Sequence, residues 1–272
     1  MSYSYKFNCV PSILRLEEQG IKLDPVLVKN KKFLVKLACS HQELEEACHL
    51  RYLVFKKELG YLTNLVSDID IDQFDYCCFH LLVLDIDANE VIATCRMRLI
   101  EPEMDMSSIY SRREFFIKGL DHRQERIFEV GRACVIDKYR SGVALAMMYQ
   151  GMAKLVEILK VRFMLGCASM HETSSEVGWA VYQQLDKEGF YSKELDAKPT
   201  KSYELPLFLP IKVLTHEELF KVLPPLIKGY LRMGGKIASP PALDLEFGSI
   251  DFLIWFDNDK LPSRYCKHFR AS

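Results

Sequence analysis

The chain has 272 residues, 49% of them apolar and 27% charged, which gives it the length to bury a real core and excludes a disordered, collagenous or simple coiled-coil protein. Its 36 Lys and Arg balance 37 Asp and Glu, and a net charge of -1 offers no global attraction for nucleic acid. No apolar run is long enough for a spanning helix, and the start Met1-Ser2-Tyr3 lacks the basic stretch and apolar core of a secretory signal, so a cytoplasmic location is expected.

Residues 1–32 read as a variable arm, followed by a strand over Phe33–Ala38. Ser40 with Glu43 three residues on is a capping-box signal, and Leu44, Ala47, Cys48, Arg51, Tyr52 and Phe55 then fall on neighbouring faces of a helix ending near Gly60. Residues 62–78, with Asp68, Asp70, Asp72 and Asp75, read as a long loop. His80–Ile86 and Val91–Leu99 form a hairpin around Asp87-Ala88-Asn89-Glu90. On its second strand Thr94, Arg96 and Arg98 share one face, so the two arginines need either a counter-charge or water. Residues 101–126 are polar and irregular, and Ile127–Ile136 is the next strand.

Asp137-Lys138-Tyr139-Arg140-Ser141-Gly142 turns the chain into a helix over Val143–Val161, with Leu145, Met148, Met152, Leu155, Val156 and Leu159 as its buried stripe. A strand over Phe163–Ala168 and a helix from the Thr173-Ser174-Ser175 caps to Glu188 complete a core assigned to 33–205. Residues 206–272 read as a C-terminal extension: a helix over Leu219–Met233 that runs through Pro224-Pro225, a strand over Phe252–Phe256 and a short basic closing helix over Leu261–Phe269. Nine cysteines, an odd number with no C-x-x-C pair, are expected to be reduced core thiols.

Two features carry chemistry. The turn Arg140-Ser141-Gly142-Val143-Ala144 feeds a helix start, whose exposed N–H groups suit a phosphate, although an ordinary strand-to-helix turn has the same spacing. Glu129 lies on the strand before it. A carboxylate in mid-sheet is either a general base facing a cleft or half of a structural salt bridge, with Arg132 the nearest candidate. His171-Glu172 has no second His for a zinc-protease pattern, no G-x-S-x-G occurs, and a Cys167/His171 dyad is set aside as a buried strand thiol.

Arg51-Tyr52-Leu53-Val54-Phe55, Leu59-Gly60-Tyr61, Asp72-Gln73-Phe74-Asp75, Arg98-Leu99 and Glu129-Val130-Gly131-Arg132 resemble the motif series of acyl-homoserine lactone synthases, relatives of the GNAT N-acyltransferases. Tyr139–Leu145, Phe163–Met170, Lys228–Ile237, Pro240–Asp244 and Phe247–Phe252 are more similar to the ornithine-lipid and glycine-lipid N-acyltransferases and the N-acyl amino acid synthases, a branch often labelled hemolysins. The likeness runs from about 45 to 269, and autoinducer synthases lack its C-terminal block.

The resemblance implies an α/β fold: a GNAT-like mixed twisted sheet, splayed at its central strands, flanked by helices and carrying the C-terminal extension. It implies that Glu129 is the base, with Arg132 beside it in the catalytic set, and that Val135, Arg140, Gly142 and Ala144 cradle the donor's phosphopantetheine. Arg51, Phe55, Asp72, Asp75, Arg96 and Arg98 would shape the acceptor and acyl pockets, with Arg96, Arg98 or Arg132 taking an amino acid carboxylate. Leu185 stands where the common thiolate-protonating tyrosine lies, with Tyr182 one turn earlier. The phosphate turn, with one residue between Arg140 and Gly142, is short and suits acyl carrier protein, whose arm ends in a single phosphate. The expected activity is transfer of a long fatty acyl group from acyl carrier protein, or acyl-CoA, to the α-amine of an amino acid. The product is an N-acyl amino acid or lyso-aminolipid, and neither a metal nor a resident cofactor is required. An autoinducer synthase and a non-catalytic acyl-carrier or lipid-binding module are the alternatives. Peripheral contact with the inner membrane face is compatible with such a product.

Overall fold

A computed structural model describes residues 23–61, 68–140 and 142–261. Most of the expected arm, Cys9, Ser141, part of the aspartate loop, the basic closing helix and Cys266 lie outside the described residues. The fold is mixed α/β, with a large, mostly antiparallel sheet flanked by helices. The chain divides into two compact units, and strands β4 and β6 each run from one into the other.

Among the described residues, the first unit takes 23–60, 68–98, 132–140 and 142–155. Its strands β1 (Val26–Lys29), β2 (Phe33–Leu37), β3 (Phe79–Asp85) and β4 (Glu90–Ile100) lie side by side in that order, all antiparallel. β2 alternates as a half-buried strand should, with Phe33, Val35 and Leu37 inward. β1 lies within the stretch expected to be a variable arm. Helix α1 (His41–Arg51) starts where the caps predict: Ser40 accepts the Glu43 N–H at 3.2 Å, and the Glu43 carboxylate accepts the Cys39 N–H at 2.7 Å. It does not continue as an α-helix to Gly60. Tyr52–Glu58 winds as a π-helix, and the Leu59 N–H reaches back five residues to Val54 at 3.0 Å. Helix α3 (Val143–Ile158) crosses β2 and β3 at Gly151, where a Cβ would stand 2.5 Å from Val35 Cγ1 and 2.9 Å from Leu81 Cδ1.

Among the described residues, the second unit takes 61, 99–131 and 156–261. Between β4 and β6 (Ile127–Val135), the stretch expected to be irregular holds the one-turn helix α2 (Ser111–Glu114) and strand β5 (Phe115–Lys118). β5 pairs with β8 (Asp196–Pro199) as a separate two-stranded sheet. The main sheet here runs β6, β7 (Phe163–Met170), β11 (Ser249–Asp257), β10 (Ala242–Asp244), with the short β9 (Lys236–Ile237) also on β11. β11 is longer than the expected Phe252–Phe256, pairs antiparallel with all of β7 and is buried at every position.

β6 and β7 are parallel and in register only from Ile127↔Phe163 to Glu129↔Leu165 among the described residues. One step further, a Cβ on Gly166 would stand 2.1 Å from the Val130 carbonyl oxygen, so only glycine fits there. Helix α4 (Ser175–Lys187) begins at its expected Ser174 cap. The helix expected over Leu219–Met233 is two helices, α5 (His216–Val222) and α6 (Pro225–Arg232). Proline cannot donate in a helix interior and clashes with the preceding turn, so Pro224 is extended and Pro225 takes the first helical position, where no donor is needed. Leu219, Leu223, Ile227 and Leu231 are buried in this unit. No helix among the described residues is long and apolar enough to cross a membrane.

Candidate active site

In the first unit, Arg51, Arg96 and Arg132 interlock with Asp70, Asp72 and Asp75. Arg51, at the end of α1, is 1% exposed and holds both Asp75 oxygens as a fork, at 2.7 and 2.9 Å. It also reaches Asp70 at 3.2 Å and donates to the Asp70 carbonyl. Arg96 bridges Asp72 at 2.6 Å and Asp75 at 3.0 Å, and Arg132 reaches Asp72 at 3.2 Å. The Asp72 N–H caps Asp75 at 2.8 Å.

Burial alone would push the Asp75 carboxyl up, but the Arg51 and Arg96 guanidinia outweigh it and hold that carboxyl well below its usual range. His80 sets Nε2 on the Asp75 carbonyl at 3.0 Å and is driven down to about 4 by burial, so it is neutral. Of the residues expected to shape the pockets, Arg51, Asp72, Asp75, Arg96 and Arg132 therefore form one network, joined by Asp70 and His80. Arg98 is buried on the Arg96 face of β4, and half-buried Phe55 packs on Leu50, Val54 and Cys134. The two strand arginines are buried rather than solvated.

The turn into α3 is locked by Arg140. Its guanidinium bonds the Val135 carbonyl at 2.9 Å and Asp137 at 3.1 Å, and it pairs with Glu58. Gly142 sits at φ +102°, a left-handed conformation that favours glycine, and nothing lies within 4 Å of where its Cβ would be. Ala144 is buried in the first turn of α3, and Val135 ends β6 half-buried. The open space at Gly142 and the helix start beside it are the features a phosphate cradle requires.

In the second unit, Glu129 is 7% exposed and takes three bonds from the start of α2: Tyr110 N–H at 2.9 Å, Ser111 N–H at 2.6 Å and Ser111 hydroxyl at 2.7 Å. These three donors are neutral and fix the carboxylate's orientation at the last registered pair of β6 and β7. Arg132 makes its ion pairs with the aspartates named above; its φ of +51° interrupts the strand's regular pleat. Leu185 is fully buried, and the Tyr182 phenol, edge-on to Trp179 and Tyr191, is pushed up to about 12 by burial.

One group escaped the sequence reading. Glu114, Asp244 and Asp251 are all buried, with one oxygen of each within 4.8 Å of the others. Burial and the neighbouring Asp251 push the Glu114 carboxyl well up, and burial raises Asp251 to about 6. The Cys167 thiol beside them is also raised, by burial and by Glu114, which keeps it a thiol. A Glu at the end of a one-turn helix and two strand aspartates more than a hundred residues away share no sequence signal.

Residues 50–150 match the family model described as the acetyltransferase (GNAT) domain. The chain is 29% identical over 248 residues to the L-ornithine N(alpha)-acyltransferase of Agrobacterium fabrum, covering 86% of this chain and 84% of that protein. It is 27% identical over 248 residues to the protein of the same name from Brucella abortus, covering 87% and 88%. The solved structure of FeeM, an N-acyl amino acid synthase from uncultured soil microbes, is similar over 86% of this chain and 96% of its own, at 8% identity and a TM-score of 0.47.

Proposed function

We propose that this chain, an acyltransferase carrying a GNAT domain over residues 50–150, transfers a fatty acyl group from a phosphopantetheine thioester to the α-amine of an amino acid. The likeness to ornithine N-acyltransferases over most of both chains supports the acceptor class. The observation that carries the reading is Glu129, a buried carboxylate oriented by three bonds at the point where β6 and β7 stop pairing.

The acceptor arrives as an ammonium and must lose a proton. Glu129 takes it, directly or through a water. The amine nitrogen then attacks the thioester carbonyl, a C–N bond forms, the C–S bond breaks, and the second proton lost from the nitrogen goes to the departing thiolate. Holding amine and thioester together supplies much of the acceleration. The donor's phosphate is assigned to the turn at Arg140, Gly142 and Ala144, with Val135 alongside the pantetheine. Acyl carrier protein is the preferred donor, and the product is an N-acyl amino acid of the lyso-aminolipid type.

Glu129→Gln keeps the shape and the bond acceptors on one side while removing the base. General-base catalysis is typically worth 10²–10⁴, so turnover should fall by about 100-fold or more at neutral pH, with a smaller deficit at high pH where the free amine is more abundant. Turnover near wild type would remove Glu129 from the mechanism.

A further inference from the structure

We propose that residues 206–213 of the second unit are an insertion loop that seats the protein on an anionic lipid bilayer. The choice of a bilayer rests on the product proposed above, a single-chain lipid that has to be handed to a membrane.

The segment reads Pro-Leu-Phe-Leu-Pro-Ile-Lys-Val, and its Leu207, Phe208, Leu209 and Val213 are 42–69% exposed. Exposed apolar side chains are ordinary when they stand singly. Nowhere else among the described residues are two large apolar neighbours in the sequence both exposed. The segment is anchored at each end. Before it, Leu205 is buried against α4 at Gly178, where a Cβ would stand 2.6 Å from Leu205 Cδ2, and the Trp179 indole N–H donates to the Pro206 carbonyl at 3.0 Å. After it, Leu214 is buried, Thr215 and Glu218 form the capping box of α5, and His216 is bonded to Glu188 at 2.8 Å. Between these anchors, residues 207–213 make no hydrogen bond among the described residues.

The form of the segment selects what covers it. Leu207, Phe208 and Leu209 are consecutive, and consecutive side chains do not share a face. A protein surface covers one side of such a segment, whereas lipid surrounds it. Pro206 and Pro210 have no N–H, which removes two donors that a lipid environment leaves unpaired. At the base stands the half-buried Trp179 ring, an amphipathic group of the kind that favours headgroup depth.

Charge points the same way. Lys201 and Lys212 flank the apolar tip, both exposed and in no ion pair among the described residues. Glu204 is the only acid from Lys201 to His216. Beyond it, Glu217 is paired with Lys221 at 2.8 Å, and Glu218 is taken up by the α5 cap, with Lys212 acting on it from beyond ion-pair distance. An apolar tip rimmed by lysines matches an anionic headgroup layer over acyl chains.

The test is flotation of the full chain with phosphatidylcholine vesicles, with and without phosphatidylglycerol, in the absence of acyl donor and amino acid. The wild type should bind the anionic vesicles. Leu207→Ser with Leu209→Ser should weaken that binding at least tenfold with an unchanged melting curve, since both side chains are exposed. A lysine close to such a surface is worth about fivefold, so Lys212→Glu should cost that or more on anionic vesicles, and moderate salt should weaken the wild type likewise. Phe208→Trp should be quenched by brominated acyl chains beyond the wild type, whose Trp179 stands only at the base. In lipid-free solution these variants should turn over like wild type.

Failure of the wild type to bind either vesicle, or equal binding by the loop variants, overturns the insertion loop. So does a lipid-free dimer that Leu207→Ser with Leu209→Ser dissolves, which would assign the segment to a second copy. Vesicle binding by a chain that transfers no acyl group would instead overturn the transfer reading and leave the loop standing.

Discussion

Asp251 shows at the scale of one residue what a buried acidic cluster does to stability. Burial raises its carboxyl from an ordinary 3.8 to about 6 in the fold. Between those two values the folded chain retains a proton that the unfolded chain has released. Stability therefore falls as pH rises through that window and stays lower above it, and each tenfold change in proton affinity is worth about 1.4 kcal/mol. Asp251→Asn removes the ionisation and should raise the melting temperature at pH 8 relative to wild type. At pH 4, where wild-type Asp251 is neutral, the gain should disappear; a variant that melts lower at both pH values would show that the carboxylate is structurally required. Asp75 is the opposite case. Its charge is compensated by Arg51 and Arg96, so the same substitution there would remove the carboxylate that the two buried guanidinia share, leaving Asp70 to Arg51 and Asp72 to Arg96. The motif resemblance groups Arg51, Phe55, Asp72, Asp75, Arg98 and Arg132, and strand alternation adds Arg96 beside Arg98. The sequence pattern places Asp70 in a loop and His80 in a strand but assigns neither a role, because their roles depend on contacts with Arg51 and Asp75. Glu114 was invisible for a similar reason, since its partners arrive from β10 and β11.

At the scale of elements, local signals were read well and distant pairings were not. The Ser40 and Ser174 caps, the β3–β4 hairpin and the β6–turn–α3 unit depend on neighbours in sequence, and each stands close to its expected bounds. β8, with the sequence Asp-Ala-Lys-Pro, has no strand signal of its own and exists because β5 pairs with it. The proline pair divides the expected Leu219–Met233 helix into α5 and α6. Gly166 is the position where an element's geometry leaves no freedom. The Val130 carbonyl occupies the place of any Cβ, and neither is the far end of a flexible side chain. Gly166→Ala must therefore push β6 and β7 apart just past their last registered pair. We expect a loss of several kcal/mol in urea denaturation, in the range of severe core overpacking. A loss below about 0.5 kcal/mol would mean that the two strands separate there freely.

For the whole molecule, the near-zero net charge leaves donor choice to local charge. Lys138, Arg140, Lys154, Lys160 and Arg162 cluster around the turn in sequence and suggest a landing surface for an acidic carrier protein. The structure tempers that expectation. Lys138 is bonded to Glu90 at 2.6 Å, Arg140 is tied to Glu58 and Asp137, and Arg162 is paired with Asp257 at 2.9 Å. Exposed charges that already have acidic neighbours steer weakly, because water and salt screen them and each partner cancels part of the field. A single reversal should accordingly act within the usual 0.2–1 kcal/mol of an exposed pair, roughly a 1.5- to 5-fold change. Lys138→Glu also sets two acids side by side with Glu90, which places it in the upper half of that range. Measured at low ionic strength, it should raise the apparent KM for an acyl-carrier-protein donor by about threefold and leave the KM for the matching acyl-CoA unchanged. Moderate salt should bring wild type and variant together on the carrier donor, since only the steering component is screened. Equal shifts on both donors would place Lys138 against the phosphate that the two donors share, and would move the carrier's footprint away from the turn.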